Sequence, residues 1–178
     1  MPWPIWIEAI LNELSLEPRA ELRDVLLTPG APWGRLLNDH LVHGELTQEA
    51  IIRISNSFES AHRSHTPNTA LVAALPQLRR EGFSLHLWIS NTRATAIRIL
   101  NELNIQELFS TVVAREDVFL GKPDREGRDA LHLKNEARNK LLVGDSQNDQ
   151  MVAAMVGIDY DYFLRSFHRR IAESFRHA

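Results

Sequence analysis

The sequence contains no cysteine, which excludes disulfides, thiolate catalysis and cysteine-ligated zinc. No apolar run approaches the ~20 residues of a membrane-spanning helix. The opening Met1-Pro-Trp-Pro-Ile-Trp-Ile-Glu8 has neither a basic segment nor a small-residue cleavage site, so no signal peptide is expected. Excess positive charge is also missing. The formal net charge of −3 gives no reason to expect a nucleic-acid or membrane partner. Internal repeats, low-complexity tracts and long linkers are absent as well. The expectation is a cytoplasmic protein.

What is present suits a folded unit. With 178 residues, 44% of them apolar and 24% charged, the composition is that of an ordinary globular protein. The length supports one domain with its own core and a small appendage.

Along the chain, residues 8–66 read as helical. Glu8 to Leu14 places Ile10, Leu11 and Leu14 on one face. Pro18 opens a helix over Arg19 to Leu27, which Pro29-Gly30 ends. Pro32 to His43 turns Trp33, Leu36, Leu37 and Leu41 inward, and Gly44 stops it. Thr47 caps a helix from Gln48 to Phe58 with Ile51, Ile52 and Ile54 as its apolar positions.

From Asn68 strands and helices alternate. A helix over Thr69 to Glu81 ends at Gly82. A strand over Ser84 to Ser90 precedes a helix from Thr92 to Leu103, and Ser110 to Ala114 is the next strand. After the turn Gly121-Lys122-Pro123 come a helix from Arg125 to Asn135 and a strand at Leu141 to Val143. A helix over 147–156, a strand from Ile158 to Phe163 and a helix from Arg165 to Arg176 close the chain. That rhythm predicts βαβ units and a parallel sheet, an α/β fold. The divisions expected are a helical subdomain over 1–66 and an α/β core over 67–178.

Three polar groups follow predicted strands or turns. Ser90-Asn91 ends one strand, Lys122 lies in Gly121-Lys-Pro-Asp124, and Asp145 and Asp149 follow Leu141-Leu-Val143. Strand ends of one polarity share a rim of a parallel sheet, so these groups should converge there. Asp145 and Asp149, with no basic residue between them, suit a hard cation such as magnesium. A hydroxyl with its neighbouring amides, an ammonium and a carboxylate-held cation together make a phosphate site. Each residue also has a plainer role. Asp145 could cap the next helix, Ser90 could do the same for its own, and Asn91 and Lys122 could be turn residues. The pairs His40/His43 and His62/His65 lack a third ligand and read as solvated faces.

Ser90, then Gly121-Lys122-Pro123-Asp124, then Gly144-Asp145-Ser-Gln-Asn-Asp149 resembles the second, third and fourth motifs of the haloacid dehalogenase superfamily. Leu78-Arg-Arg-Glu-Gly82 is similar to its helix ahead of the second motif, and Asn104-Ile-Gln-Glu-Leu-Phe109 to its approach to the third strand. The stretch with Trp33-Gly-Arg and Gly44-Glu-Leu-Thr47 looks like its helical cap. The resemblance covers roughly residues 8–163. It implies a Rossmann-like parallel sheet with flanking helices, and magnesium-dependent hydrolysis of a small phosphate ester. On the family's pattern Asp145 would contact the magnesium, Asp149 would act directly or through water, and Ser90, Asn91 and Lys122 would bind substrate. Ser90 and Lys122 would also take part in catalysis.

The family's nucleophile is the first Asp of an Asp-x-Asp motif ending its first, central strand ahead of the cap. The seven residues before Glu8 hold no Asp, and Pro2 and Pro4 suit a central strand poorly. Three readings follow. The chain is part of a longer phosphatase-type enzyme, or it is a non-catalytic binding or regulatory protein that keeps a phosphate pocket, or Asp159-Tyr-Asp161 substitutes. The last segment otherwise reads as an edge strand with both Asp side chains outward. Dehalogenation, the family's metal-free chemistry, is a further alternative. A dimer in which a second chain fills the place of the first strand also stays open.

Overall fold

The computed structural model describes residues 6, 8–10, 12, 33–131 and 140–162. The first of its layers is helical. Helix α1 (Trp33–Val42) gives way to a turn in which Gly44 takes φ +71°, and α2 (Gln48–Ala61) follows. The Thr47 hydroxyl accepts the Ala50 N–H at 3.1 Å and so starts α2, as the sequence predicts. Ile51, Ile54 and Phe58 recur at helical spacing and are buried with Leu41 and Leu46 of the preceding segment and with Trp6 and Ile10. Full burial of a side chain such as Ile51 contributes about 1.5–3 kcal/mol.

The second layer begins with α3 (Thr69–Arg80), where Asn68 accepts the Leu71 N–H and Gly82 closes the turn at φ +93°. Strand β1 (Leu85–Trp88), helix α4 (Arg93–Glu102) and strand β2 (Phe109–Val113) form a βαβ unit. The strands run parallel with Trp88 beside Val113. A short helix α5 (Glu126–Ala130) follows. Strand β3 (Leu141–Gly144), helix α6 (Gln147–Val156) and strand β4 (Asp159–Tyr162) make a second parallel unit, with Val143 beside Asp161. Gly157, at φ +69°, ends α6 in the left-handed conformation that glycine adopts without penalty.

The parallel α/β architecture is as the sequence predicts, with two differences. The described strands form two separate pairs, β1 with β2 and β3 with β4, and no described strand lies between the pairs. The expectation that both Asp side chains of β4 point outward fails for Asp161. Asp159 is exposed at the start of the strand, whereas Asp161, two residues further in, is 4% exposed with one carboxylate oxygen unpartnered. Alternation alone could not separate the two, because depth along the strand decides cover as much as face does. The helices expected over Arg19 to Leu27 and Arg165 to Arg176, and the last part of that over Arg125 to Asn135, lie outside the described residues. So do Leu11 and Leu14. Among the described residues no helix is long and apolar enough to cross a membrane.

Candidate functional site

A cavity of about 90 Å³ opens between the helical layer and the loops that follow β1 and β2. Leu37, Ile51 and Phe58 form its apolar wall. Ser90, Asn91, Lys122, Arg115, Glu59 and Asn38 bring polar atoms to it. Three of the five residues expected at the site therefore meet as the strand-end argument requires. A fourth, Asp149, joins through Lys122. Asp145 is not in the cavity wall; its side chain is exposed, with no partner among the described residues.

The Gly121–Lys122 loop is held from both layers. Asn38 on α1 donates to the Gly121 carbonyl at 2.8 Å and accepts the Gly121 N–H at 3.0 Å. Gly34, one turn earlier on α1, lies so close to the Lys122 carbonyl that a Cβ would collide with it. On the other side the Lys122 ammonium reaches Asp149 Oδ1 at 2.5 Å and the Trp88 carbonyl at 3.3 Å, and it lies 5.8 Å from the Trp88 ring centre. Lys122 thus links the end of β1 to the start of α6. The Lys122–Pro123 peptide bond is cis.

Asp149 is more constrained than a free metal ligand. Its Oδ2 accepts from the Ser146 hydroxyl at 2.5 Å and the Ser146 N–H at 3.2 Å, while the Asp149 N–H donates back to that hydroxyl. This is a capping box on α6, and Lys122 takes the remaining oxygen. Gly144 makes room for the arrangement, since a Cβ there would fall 2.6–2.8 Å from the Asp149 side chain. For magnesium the described residues therefore offer one free carboxylate, Asp145, and one fully bonded carboxylate, Asp149. No group of three or more His, Asp or Glu side chains that could hold a metal occurs among them. Magnesium is commonly held by one or two protein carboxylates, with water and substrate oxygens completing its coordination, so among the described residues Asp145 is the carboxylate that would hold it. Of the paired histidines, His65 reaches across to Glu102 at 3.8 Å, and the others make local contacts. His40 pairs with Glu45 at 2.5 Å, and His43 and His62 bond to carbonyls of their own helices.

Ser90 is exposed and its hydroxyl is unpartnered among the described residues, so it is available to a ligand. Asn91 gives one Nδ2 hydrogen to Glu59 Oε1 at 2.9 Å and keeps its other N–H and its Oδ1 for a ligand. Glu59 Oε2 also accepts the Thr92 hydroxyl at 2.7 Å and the Thr92 N–H at 3.2 Å, and Glu116 accepts the Arg93 N–H at 2.8 Å. Two carboxylates thus hold the first amides of α4, where a negative charge is favoured. The amides left for a ligand are those nearer Ser90. Behind them, Asp117 pairs with the Arg93 guanidinium and accepts the Ala114 N–H at 2.7 Å. Burial raises the Asp117 pKa, but the hydrogen bonds from Arg93 and Ala114 outweigh it and the net shift is downward.

Sequence reasoning missed Asn38, Glu59 and Arg115. Glu59 left a signal, because Ile51, Ser55, Phe58 and Glu59 share the inward stripe of α2 and an acid there breaks the apolar pattern. Asn38 sits on an otherwise ordinary polar position of α1. Arg115 follows a strand in a charged run, and nothing in its neighbours marks it as buried.

A helical layer set over the ends of parallel strands, with Ser90 and Lys122 in the cleft between, belongs to a recognisable class. The profile of the haloacid dehalogenase-like hydrolase family matches residues 7–161, and the chain belongs to that family. Among curated proteins it is similar to the phosphoglycolate phosphatase of Yersinia pestis, at 32% identity over 101 residues. It matches that of Yersinia pseudotuberculosis serotype I to the same extent. Each match covers 51% of this chain and 42% of the relative, so the chain spans less than half the length of these proteins. A hydrolase from Streptococcus pneumoniae TIGR4 shares the fold with a TM-score of 0.54 at 18% identity. That alignment covers 97% of this chain and 90% of the other.

Proposed function

We propose that this chain carries the phosphate-binding part of a phosphatase-type hydrolase that takes a small phosphate ester into the cavity between its layers. The observation that carries the proposal is the convergence of Ser90 and Lys122 on one cavity. A free hydroxyl and an ammonium with a donor to spare are what phosphate oxygens need. The cavity volume of about 90 Å³ is far below the several hundred Å³ usual for drug-sized ligands, which favours a small ester. The names of the Yersinia relatives agree with that class.

No catalytic step follows from the residues in the cavity. Glu59 is the one carboxylate in its wall among the described residues, and the amides and side chains at the start of α4 occupy it. That observation favours a second reading, in which the chain binds a phosphate ester without turning it over. Magnesium belongs to either reading only as a further ligand of Asp145. The test is calorimetric titration of ethyl phosphate into the wild type and Ser90→Ala, a substitution at an exposed residue. We expect binding that weakens about tenfold in the variant. Equal affinity in the two proteins would overturn the phosphate site.

A further inference from the structure

Arg115 is 6% exposed, yet it lines the cavity that holds Ser90 and Lys122. Its guanidinium donates through Nη1 to the Val118 carbonyl at 2.7 Å and through Nη2 to the Phe119 carbonyl at 3.0 Å. Among the described residues no carboxylate lies within ion-pairing distance of it. Burial pulls its pKa down, and the more distant charges of Glu126 and Glu116 only partly oppose that. Both acids are engaged elsewhere. Glu126 accepts the Phe119 and Leu120 N–H groups, and Glu116 accepts that of Arg93. A buried cation without a directly paired carboxylate is costly to keep. The two carbonyl bonds leave guanidinium donors unused, and the cavity wall is where an anion could meet them.

We infer that Arg115 is a specificity-determining residue that receives a second anionic group, a carboxylate, on a small phosphate ester held by Ser90 and Lys122. The inference rests on the phosphate site proposed above. The two cations of the cavity wall then divide the ligand's charge, with Lys122 toward the phosphate and Arg115 toward the carboxylate. A planar guanidinium suits a carboxylate, which can accept two parallel N–H bonds. The plainer role, a staple for the loop at 118–119, accounts for the two carbonyl bonds and leaves the spare guanidinium donors at the cavity unexplained.

The experiment compares phosphoglycolate with ethyl phosphate, which has a methyl group where phosphoglycolate has its carboxylate. Both are titrated into the wild type, Arg115→Met and Arg115→Lys, with folding checked by circular dichroism. The wild type should bind phosphoglycolate about tenfold more tightly than ethyl phosphate. Arg115→Met should lose that preference and keep its affinity for ethyl phosphate. Arg115→Lys, with the charge but without the fork, should keep part of the preference. If Arg115→Met does not fold, the wild type and Arg115→Lys decide. Equal binding of the two esters by the wild type overturns the inference and leaves the phosphate site standing. Equal weakening of both esters in a folded Arg115 variant reduces the residue to a loop staple. If neither ester binds the wild type, the phosphate site fails and this inference falls with it.

Discussion

Lys122 and Asp149 meet at 2.5 Å with side chains only 11% and 8% exposed, and their contact joins the end of β1 to the start of α6. The pair is shielded from water, so each charge depends on the other. Removing one partner leaves the other buried and uncompensated. Lys122→Met should destabilise the protein by about 3–5 kcal/mol. Adding Asp149→Leu should recover much of that loss. Urea denaturation of the two single variants and the double variant measures this, and additive losses would count against the coupling.

Gly144 and Gly44 are both glycines, but substitution should fail differently at each. At Gly144 an added Cβ would lie 2.6–2.8 Å from the Asp149 side chain, whereas at Gly44 nothing lies within 4 Å and the strain is in the backbone, at φ +71°. Gly44→Ala should cost about 1 kcal/mol, whatever else is mutated. Gly144→Ala should cost about 1–3 kcal/mol in the wild type and much less in an Asp149→Ala background, where the clashing side chain is gone. Thermal unfolding of the four variants separates these outcomes.

Glu59 ties α2 to the start of α4, accepting from Thr92 and Asn91. Glu59→Ala leaves buried donors unpaired and should cost about 1–3 kcal/mol. Glu59→Gln keeps one acceptor oxygen and should cost less. Because the same contacts set the loop after Ser90, ethyl phosphate affinity should fall along with stability in Glu59→Ala. Unchanged affinity in a destabilised variant would show that the tie does not position the loop.

His86 on β1 sets a pH dependence. Burial, with a smaller contribution from the Arg79 charge, lowers its pKa, and its Nδ1 is buried without a partner. As pH falls, the unfolded chain takes up a proton at His86 before the folded one does. Stability from this group is therefore complete above the ordinary histidine pKa of ~6.5 and declines as pH falls from there to the lower folded-state value. His86→Gln should flatten the stability profile between about pH 7 and pH 5. Asp117, also shifted down, acts only in more acidic solution. A wild-type profile that is flat over the histidine range would sink the assignment.

Asp145 is, among the described residues, the one free carboxylate near the loop after β3. Magnesium titrated into the protein should bind weakly, and Asp145→Asn should abolish what binding there is. No magnesium-dependent hydrolysis of a generic phosphate ester such as p-nitrophenyl phosphate is expected. Robust turnover that Asp145→Asn removes would overturn that expectation and return attention to Asp159 and Asp161.

The order and type of most described elements were legible in the sequence, because each rests on local chemistry. Thr47, Asn68 and Gly82 start and stop their helices within a few residues, and the strand ending in Gly144-Asp145 needs only its apolar run. Ser90, Lys122 and Asp149 could be singled out from their local motifs, and the structure brings Lys122 to the cavity with Ser90 and into contact with Asp149. Partners that depend on distant residues could not be read in this way. That Lys122 neutralises Asp149, that Glu59 occupies the first amides of α4, and that Arg115 is buried without a directly paired carboxylate all depend on packing that local sequence does not show. Asp159 and Asp161 make the same point within one strand. The sequence by itself determined which segments become helix or strand and which groups stand at the strand ends. Tertiary packing alone decided which of those groups stay free for a ligand, because burial and pairing are set by neighbours far away in the chain.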